Sequence, residues 1–265
     1  MSKSIYSVFY GIALITTFLM LSGEAFSAPQ KTREMAQKSK TAKFEVKPAE
    51  GFEEVDLFQA IADGKLDAGV IQAGMQDGKL FIENVSDKPI SVRLPETFGT
   101  RPILSQNMQQ FNQNSSNQNR QLFGSNGQMG GGGGGFMNIP PEKVVAVKYQ
   151  SLCLEYGKPV PTAANDYELA KIDEVTDKEE VKQICRMLGS VDQKALQFAA
   201  WHLNSEVSAQ KLASETVLRP NGRRVNFFTP QQIQTALAAI QRAKVIAKQM
   251  AAAGEEKTGS SEYPY

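Results

Sequence analysis

Two cysteines and one histidine carry most of the reactive chemistry open to this 265-residue chain. Cys153 closes a strand-like stretch ahead of Tyr156-Gly157-Lys158-Pro159, and Cys185 lies on the apolar face of a helical stretch. In an oxidising compartment these thiols can be joined as a disulfide. Both also read as small buried hydrophobes, since free cysteine is among the most buried residue types. His202 has neighbours such as Trp201 but no flanking Ser or Cys motif. A Cys–His pair with Cys153 or Cys185 would have to be assembled in space rather than along the chain. One His and two Cys fall short of a four-ligand zinc site. The carboxylates gather where helices begin, at Glu53, Glu54 and Asp56 and again from Asp173 to Glu180. The helix dipole favours them there, and none stands out as a glycosidase pair or calcium loop. Arg219, Arg223 and Arg224 form a small basic turn, read as a solvated loop or a contact for phosphate or an acidic polymer. No catalytic, cofactor-binding or metal residue emerges from this inventory, and no cofactor is expected.

The compartment decides how the thiols are read. Lys3 precedes an apolar run from Ile5 to Leu21, followed by the small residues Ala25, Ser27 and Ala28. Charge, apolar run and small-residue exit are the order of a secretory signal peptide. The run is short for a membrane span and carries Ser7, Tyr10, Thr16 and Thr17. Cleavage is expected after Ser27, ahead of Ala28, because a cut after Ala28 would place Phe26 where a small residue is needed. The mature chain is then secreted, to the periplasm or cell surface, with no integral membrane segment. With 29 basic and 28 acidic residues it has no overall charge to steer it to nucleic acid. A protein or other component of the cell envelope is the expected partner.

The elements that position these residues divide the chain. Residues 28–42 are polar and basic and read as a flexible N-terminus. Lys43 to Val46 reads as a strand, Val55 to Leu66 as a short helix, and Leu80–Val85 with Ile90–Leu94 as a β-hairpin around Ser86-Asp87-Lys88-Pro89. Residues 105–136, dense in Gln, Asn, Ser and Gly, cannot bury enough apolar surface to offset their ordering entropy, so a disordered insertion is expected. Val144–Tyr149 and Leu152–Leu154 return as strands to the sheet begun at Leu80. From 166 to 253 the pattern is helical. Thr176-Asp177-Lys178-Glu179 is a capping-box pattern, Gly189 a stop, Asp192 a restart, Arg219–Arg223 a turn and Thr229-Pro230 a helix start. The last helix has as its apolar residues Ile233, Leu237, Ile240, the stem of Lys244, Ile246 and Met250, and 254–265 reads as a disordered tail. The predicted fold class is α+β: a small antiparallel β-sandwich-like domain over 43–160, interrupted by the insertion, then a helical C-terminal region.

Gln197-Phe198-Ala199-Ala200-Trp201, with Leu152-Cys153-Leu154 upstream, resembles the Gln and Cys signatures of bacterial surface thioester domains. In that family the two side chains condense into an internal thioester that captures an amine. The resemblance implies Cys153 and Gln197 as the pair. The chain departs from the pattern at Leu196, where the family has Thr, and in a much shorter Cys-to-Gln spacing. Without the resemblance, the segment reads as an amphipathic helix with Trp201 packed and Gln197 solvated. The whole order of segments also resembles an uncharacterised family of secreted bacterial proteins: the 80–95 segment, the glycine run into Phe136 and Ile139-Pro140-Pro141, Cys153–Pro159, and Gln197–Leu203. That resemblance implies the same architecture and no activity. The functional expectation is a secreted, non-enzymatic structural or protein-binding module of the periplasm or cell envelope. The alternative is a covalent binder or enzyme using Cys153.

Overall fold

The structure is a computed structural model. It describes residues 30–103, the main chain of 121–124, and residues 135–259, with side chains through 253. The signal segment with Ser27 and Ala28, most of the 105–136 tract, and residues 260–265 lie outside the described residues.

The chain is α+β, as expected, but it is not an antiparallel sandwich. One sheet runs in the order β1 (Lys40–Thr41), β10 (Val144–Cys153), β5 (Asp77–Asn84), β4 (Leu66–Gln72), β11 (Tyr167–Ala170), β7 (Thr97–Pro102) and β8 (Gln121–Gly124). Strand β8 also pairs with the far end of β10, so the sheet curls into a half-barrel. A second sheet has β2 (Phe44–Glu45), β9 (Phe136–Ile139), β6 (Ile90–Arg93) and β3 (Glu53–Asp56). Both sheets are mixed, because β1–β10 and β3–β6 are parallel pairs. Leu80, Ile82 and Val70 from the first sheet meet Val92, Met137 and Ile139 from the second in one core.

The 80–94 hairpin does not form: β5 and β6 belong to different sheets. Buried Asn84 turns the corner between them. Its amide nitrogen donates to the carbonyls of Lys88 (2.7 Å) and Ile139 (2.9 Å), and its oxygen accepts from Ser86. The expected helix at 55–66 is only α2 (Leu57–Ala62), started by the Asp56 carboxylate, which accepts from the Phe58 and Gln59 amides. Val55 and Leu66 are drawn into strands on either side. The 105–136 tract is not wholly without structure, since β8 lies within it and Phe136 begins β9. Residues 30–42 are also more ordered than expected. Helix α1 (Gln30–Lys38) buries Thr32 and Met35 on the outer face of β4, β5 and β10, and β1 follows. Val144 to Cys153 does return to β5, as one ten-residue strand.

The C-terminal part begins later than 166, because Tyr167–Ala170 is a strand of the first sheet. The helices are α3 (Ile172–Val175), α4 (Glu179–Arg186), α5 (Gln193–Asn204), α6 (Ala209–Ala213) and α7 (Pro230–Gly259), with a hairpin of β12 (Thr216–Leu218) and β13 (Arg224–Asn226). The Thr176–Glu179 capping box is not made. The Thr176 hydroxyl takes the Lys178 amide, and the Glu179 carboxylate turns down the helix to Gln183 and Arg186. The box that does close is at α7, where Thr229 and Gln232 each accept the other's main-chain N–H. The inner face of α7 is Ala236, Ala239, Ile240 and Ala243, while Leu237 stays 43% exposed and Met250 47%. Small side chains let α7 approach α4 and α5 closely, which the apolar pattern alone does not reveal. Among the described residues no helix is long and apolar enough to cross a membrane.

Candidate functional site

Helix α5 docks along an edge of β10, and the two residues singled out by sequence meet there. Asp192 starts the helix by accepting from the Ala195 amide at 2.8 Å. Beyond Gln150 strand β10 has outrun β5, so its edge on that side would carry unpaired N–H and C=O groups. Gln197 supplies the missing partners. The Cys153 N–H donates to Gln197 Oε1 at 2.9 Å, and Gln197 Nε2 donates to the Cys153 carbonyl at 2.6 Å, across a separation of 44 residues. The side-chain amide thus extends the ladder by one unit. Both residues are buried, at 2% and 3% exposure, so Gln197 is not the solvated residue that a plain amphipathic helix would present.

One turn earlier, Gln193 Nε2 donates to the carbonyls of Ser151 (2.9 Å) and Gln76 (2.6 Å). Four helical residues rise about 6 Å and two strand residues about 6.7 Å, so Gln193 and Gln197 keep register with Ser151 and Cys153. At the end of α5, Asn204 Nδ2 and Ser205 Oγ both donate to the Leu154 carbonyl, and Ser205 Oγ accepts from the Tyr156 amide. Helix and strand are therefore joined by a continuous polar seam from Ser151 to Tyr156. The Gln193 and Asn204 contacts were not legible from sequence; the only signal was the i, i+4 spacing of two glutamines.

The cysteines are free thiols, and both are buried. No disulfide joins them. Leu152 and Leu154 point into the helical core that contains Cys185, so strand alternation turns Cys153 the other way. Its Sγ donates to the Glu155 carbonyl at 3.5 Å. Burial pushes the Cys185 thiol far above its ordinary range, which keeps it protonated and unreactive. His202 Nδ1 lies 2.8 Å from the Val207 carbonyl, a contact that requires Nδ1 to carry the proton. Among the described hydrogen bonds none joins His202 to a cysteine, so the Cys–His pair is not assembled.

Beside the seam Trp201 sits edge-on to Tyr156 (5.4 Å between centroids) and Phe228 (6.0 Å). The Tyr156 hydroxyl donates to Glu215, which also pairs with Lys211. That hydrogen bond, ahead of burial, raises the Tyr156 phenol above its usual value, and Lys211 followed by Tyr156 lowers the Glu215 carboxyl. A polar cleft of about 490 Å³ opens where β10 ends, lined by residues including Glu155, Tyr156, Thr176, Lys178, Asn204 and Glu206. Lys178 Nζ donates to the carbonyls of Leu203 and Asn204 and pairs with Glu206, complementing the negative end of α5.

A second buried network was also missed by sequence. The Tyr149 hydroxyl donates to Gln72 Oε1 (2.8 Å), while Gln72 Nε2 donates to Ser151 Oγ (2.8 Å) and to the Gly74 carbonyl (2.6 Å). Burial raises the Tyr149 phenol well above its usual range. The network braces the 73–76 loop, to which Gln193 also bonds. The basic residues Arg219, Arg223 and Arg224 occupy the β12–β13 hairpin and its turn and are exposed.

No family model, curated protein or solved structure matches the chain.

Proposed function

We propose that this chain is an exported, non-enzymatic binding module of the cell envelope, and that the Cys153–Gln197 junction is the place where it makes its attachment covalent. The observation that carries this reading is the reciprocal pair of hydrogen bonds between Gln197 and the Cys153 main chain. In the condensation, Cys153 Sγ bonds to Gln197 Cδ, the Cδ–Nε2 bond breaks, and Nε2 leaves as ammonia with the thiol proton. The Cys153 N–H already donates to Oε1, the oxygen on which negative charge would develop during attack, so it stabilises the tetrahedral stage. Oε1 remains as the thioester carbonyl. A partner's amine can then attack Cδ, forming an amide and returning the thiol. The polar cleft at the end of β10 supports the reading as an approach route. Export rests on the 1–27 segment, and a protein of the envelope remains the partner proposed.

A second reading has its own support. Gln193 also bonds to the main chain, and its partners are the carbonyls of Gln76 and Ser151 rather than a cysteine. Gln197 then serves architecture alone and the module binds non-covalently. Intact mass of the mature chain separates the two. A thioester gives a mass lower by one ammonia, a gain of one methylamine on incubation with that amine, and one alkylatable thiol on denaturation before methylamine and two after. Cys153→Ala and Gln197→Ala abolish all three signals. An unshifted mass with two free thiols in the untreated protein leaves only the architectural role.

A further inference from the structure

The outer face of the half-barrel carries a site separate from the seam. On it Lys79 of β5 and Lys148 of β10 stand directly opposite each other in register. Like charges at such a pair have Cβ atoms about 5 Å apart and repel. Both lysines are exposed, and among the described residues neither makes an ion pair. Asp77 lies one row away on the same face and leaves the three residues with net positive charge. Helix α1 covers only part of this face. It seats Met35 on Phe81 and Val144, with Ile71 half-buried at the edge of that cluster, and leaves Lys79 and Lys148 exposed. Between helix and sheet runs a groove of about 760 Å³. Its floor and wall include Ala36, Ile71, Phe81 and Ala146, and the two lysines stand at one end.

We propose that this groove binds an amphipathic anion, a carboxylate or phosphate bearing a single acyl chain. The anionic oxygens bridge the Lys79 and Lys148 ammonium groups and relieve their repulsion, while the chain lies against the half-buried Ile71, Ala36 and Ala146. An apolar floor without charge would take a neutral lipid, and the lysine pair without the floor would take any small anion. The combination selects a molecule with both parts.

The test is calorimetric titration of the mature protein with dodecanoate and dodecyl phosphate, each below its micelle concentration. Dodecyltrimethylammonium, dodecanol and inorganic phosphate serve as comparisons. Saturable binding of at least one dodecyl anion is expected, with the two arms reporting which headgroup is preferred. Lys79→Gln/Lys148→Gln should weaken it tenfold or more, since charge-assisted contacts are lost and the exposed positions leave the fold intact. Ile71→Ser should weaken dodecyl anions without changing any weak binding of inorganic phosphate. The proposal is overturned if neither dodecyl anion binds. It is equally overturned if the cation or the alcohol binds as well as the anions, if inorganic phosphate matches dodecyl phosphate, or if the double lysine variant binds unchanged.

Discussion

Gln197→Leu tests the seam most directly. Leucine keeps the helix propensity and most of the volume, so the principal loss is the carboxamide. The Cys153 N–H and C=O then lose their partners in a site that is 2% exposed, where water cannot replace them. Each buried orphan costs about 1–3 kcal/mol, or about 2–6 kcal/mol for the pair. Burial of the added apolar surface returns about 1 kcal/mol, leaving a net loss of about 1–5 kcal/mol. Against a typical domain stability of about 5–15 kcal/mol this is a large fraction. Gln193→Leu is the internal control. It removes one donor shared by two carbonyls, of which that of half-buried Gln76 can turn to water while that of buried Ser151 is orphaned. It leaves no N–H unpaired, so it should cost about 1–3 kcal/mol, less than Gln197→Leu. Urea unfolding followed by the fluorescence of Trp201, the only tryptophan and one turn from Gln197, reads both. In parallel, hydrogen exchange at the Cys153 amide should accelerate in Gln197→Leu and stay near wild type in Gln193→Leu. Equal losses in the two variants, or a Gln197→Leu protein as stable as wild type, would refute the claim that Gln197 completes a ladder water cannot reach.

Three further outcomes follow from the packing. Gly78→Ala should destabilise by about 2–4 kcal/mol in chemical unfolding, because a Cβ there overlaps the Tyr149 ring and pushes its hydroxyl off Gln72. Gly69→Ala places a Cβ 2.7 Å from the Thr32 hydroxyl oxygen, so α1 must lift; trypsin should then cut at Lys31, Arg33 or Lys38 far faster, with Gly69→Ala/Thr32→Ala partly restored. Cys185 gives a pH dependence. Its folded pKa is raised above the unfolded value of about 8.5, so its contribution is intact below that pH and is lost as pH rises through the folded value. Between pH 8.5 and 10 stability should fall by up to about 1.4 kcal/mol per pH unit from this group, and Cys185→Ala, though less stable at pH 7, should lack that component of the slope.

Several features of the site were legible in the chain. The Q-x-A-x-W pattern paired Gln197 with Cys153, and the structure brings them together. The same pattern implied side-chain chemistry, whereas the contacts formed run from the Gln197 side chain to the Cys153 main chain. Asp192 and Thr229 mark helix starts because a cap is satisfied within three residues of itself. Gly189 (φ 82°) and Gly222 (φ 77°) mark turns that a side chain would strain. The 80–94 segment misled because two alternating runs around a turn cluster look alike whether they pair with each other or part into separate sheets. Asn84, which takes the chain from one to the other, bonds to Ile139, a partner no local pattern announces. Residues 30–42 misled for a similar reason: α1 is polar overall, and its order comes from Thr32 and Met35 seated on β4 and β5.

The sequence alone thus determined the starts of α5 and α7, several turns and the alternation of individual strands, while the pairing of Cys153 with Gln197 was implied by a resemblance. These depend on hydrogen bonds and side-chain periods that span a few residues, or on a motif. Tertiary structure decided which strands share a sheet, where α1 lies, which face of α7 is buried, and that the Cys153 and Cys185 thiols point into different surroundings. Those outcomes turn on groups far apart in the chain competing for the same edge or core, and only the folded arrangement states which of them meet.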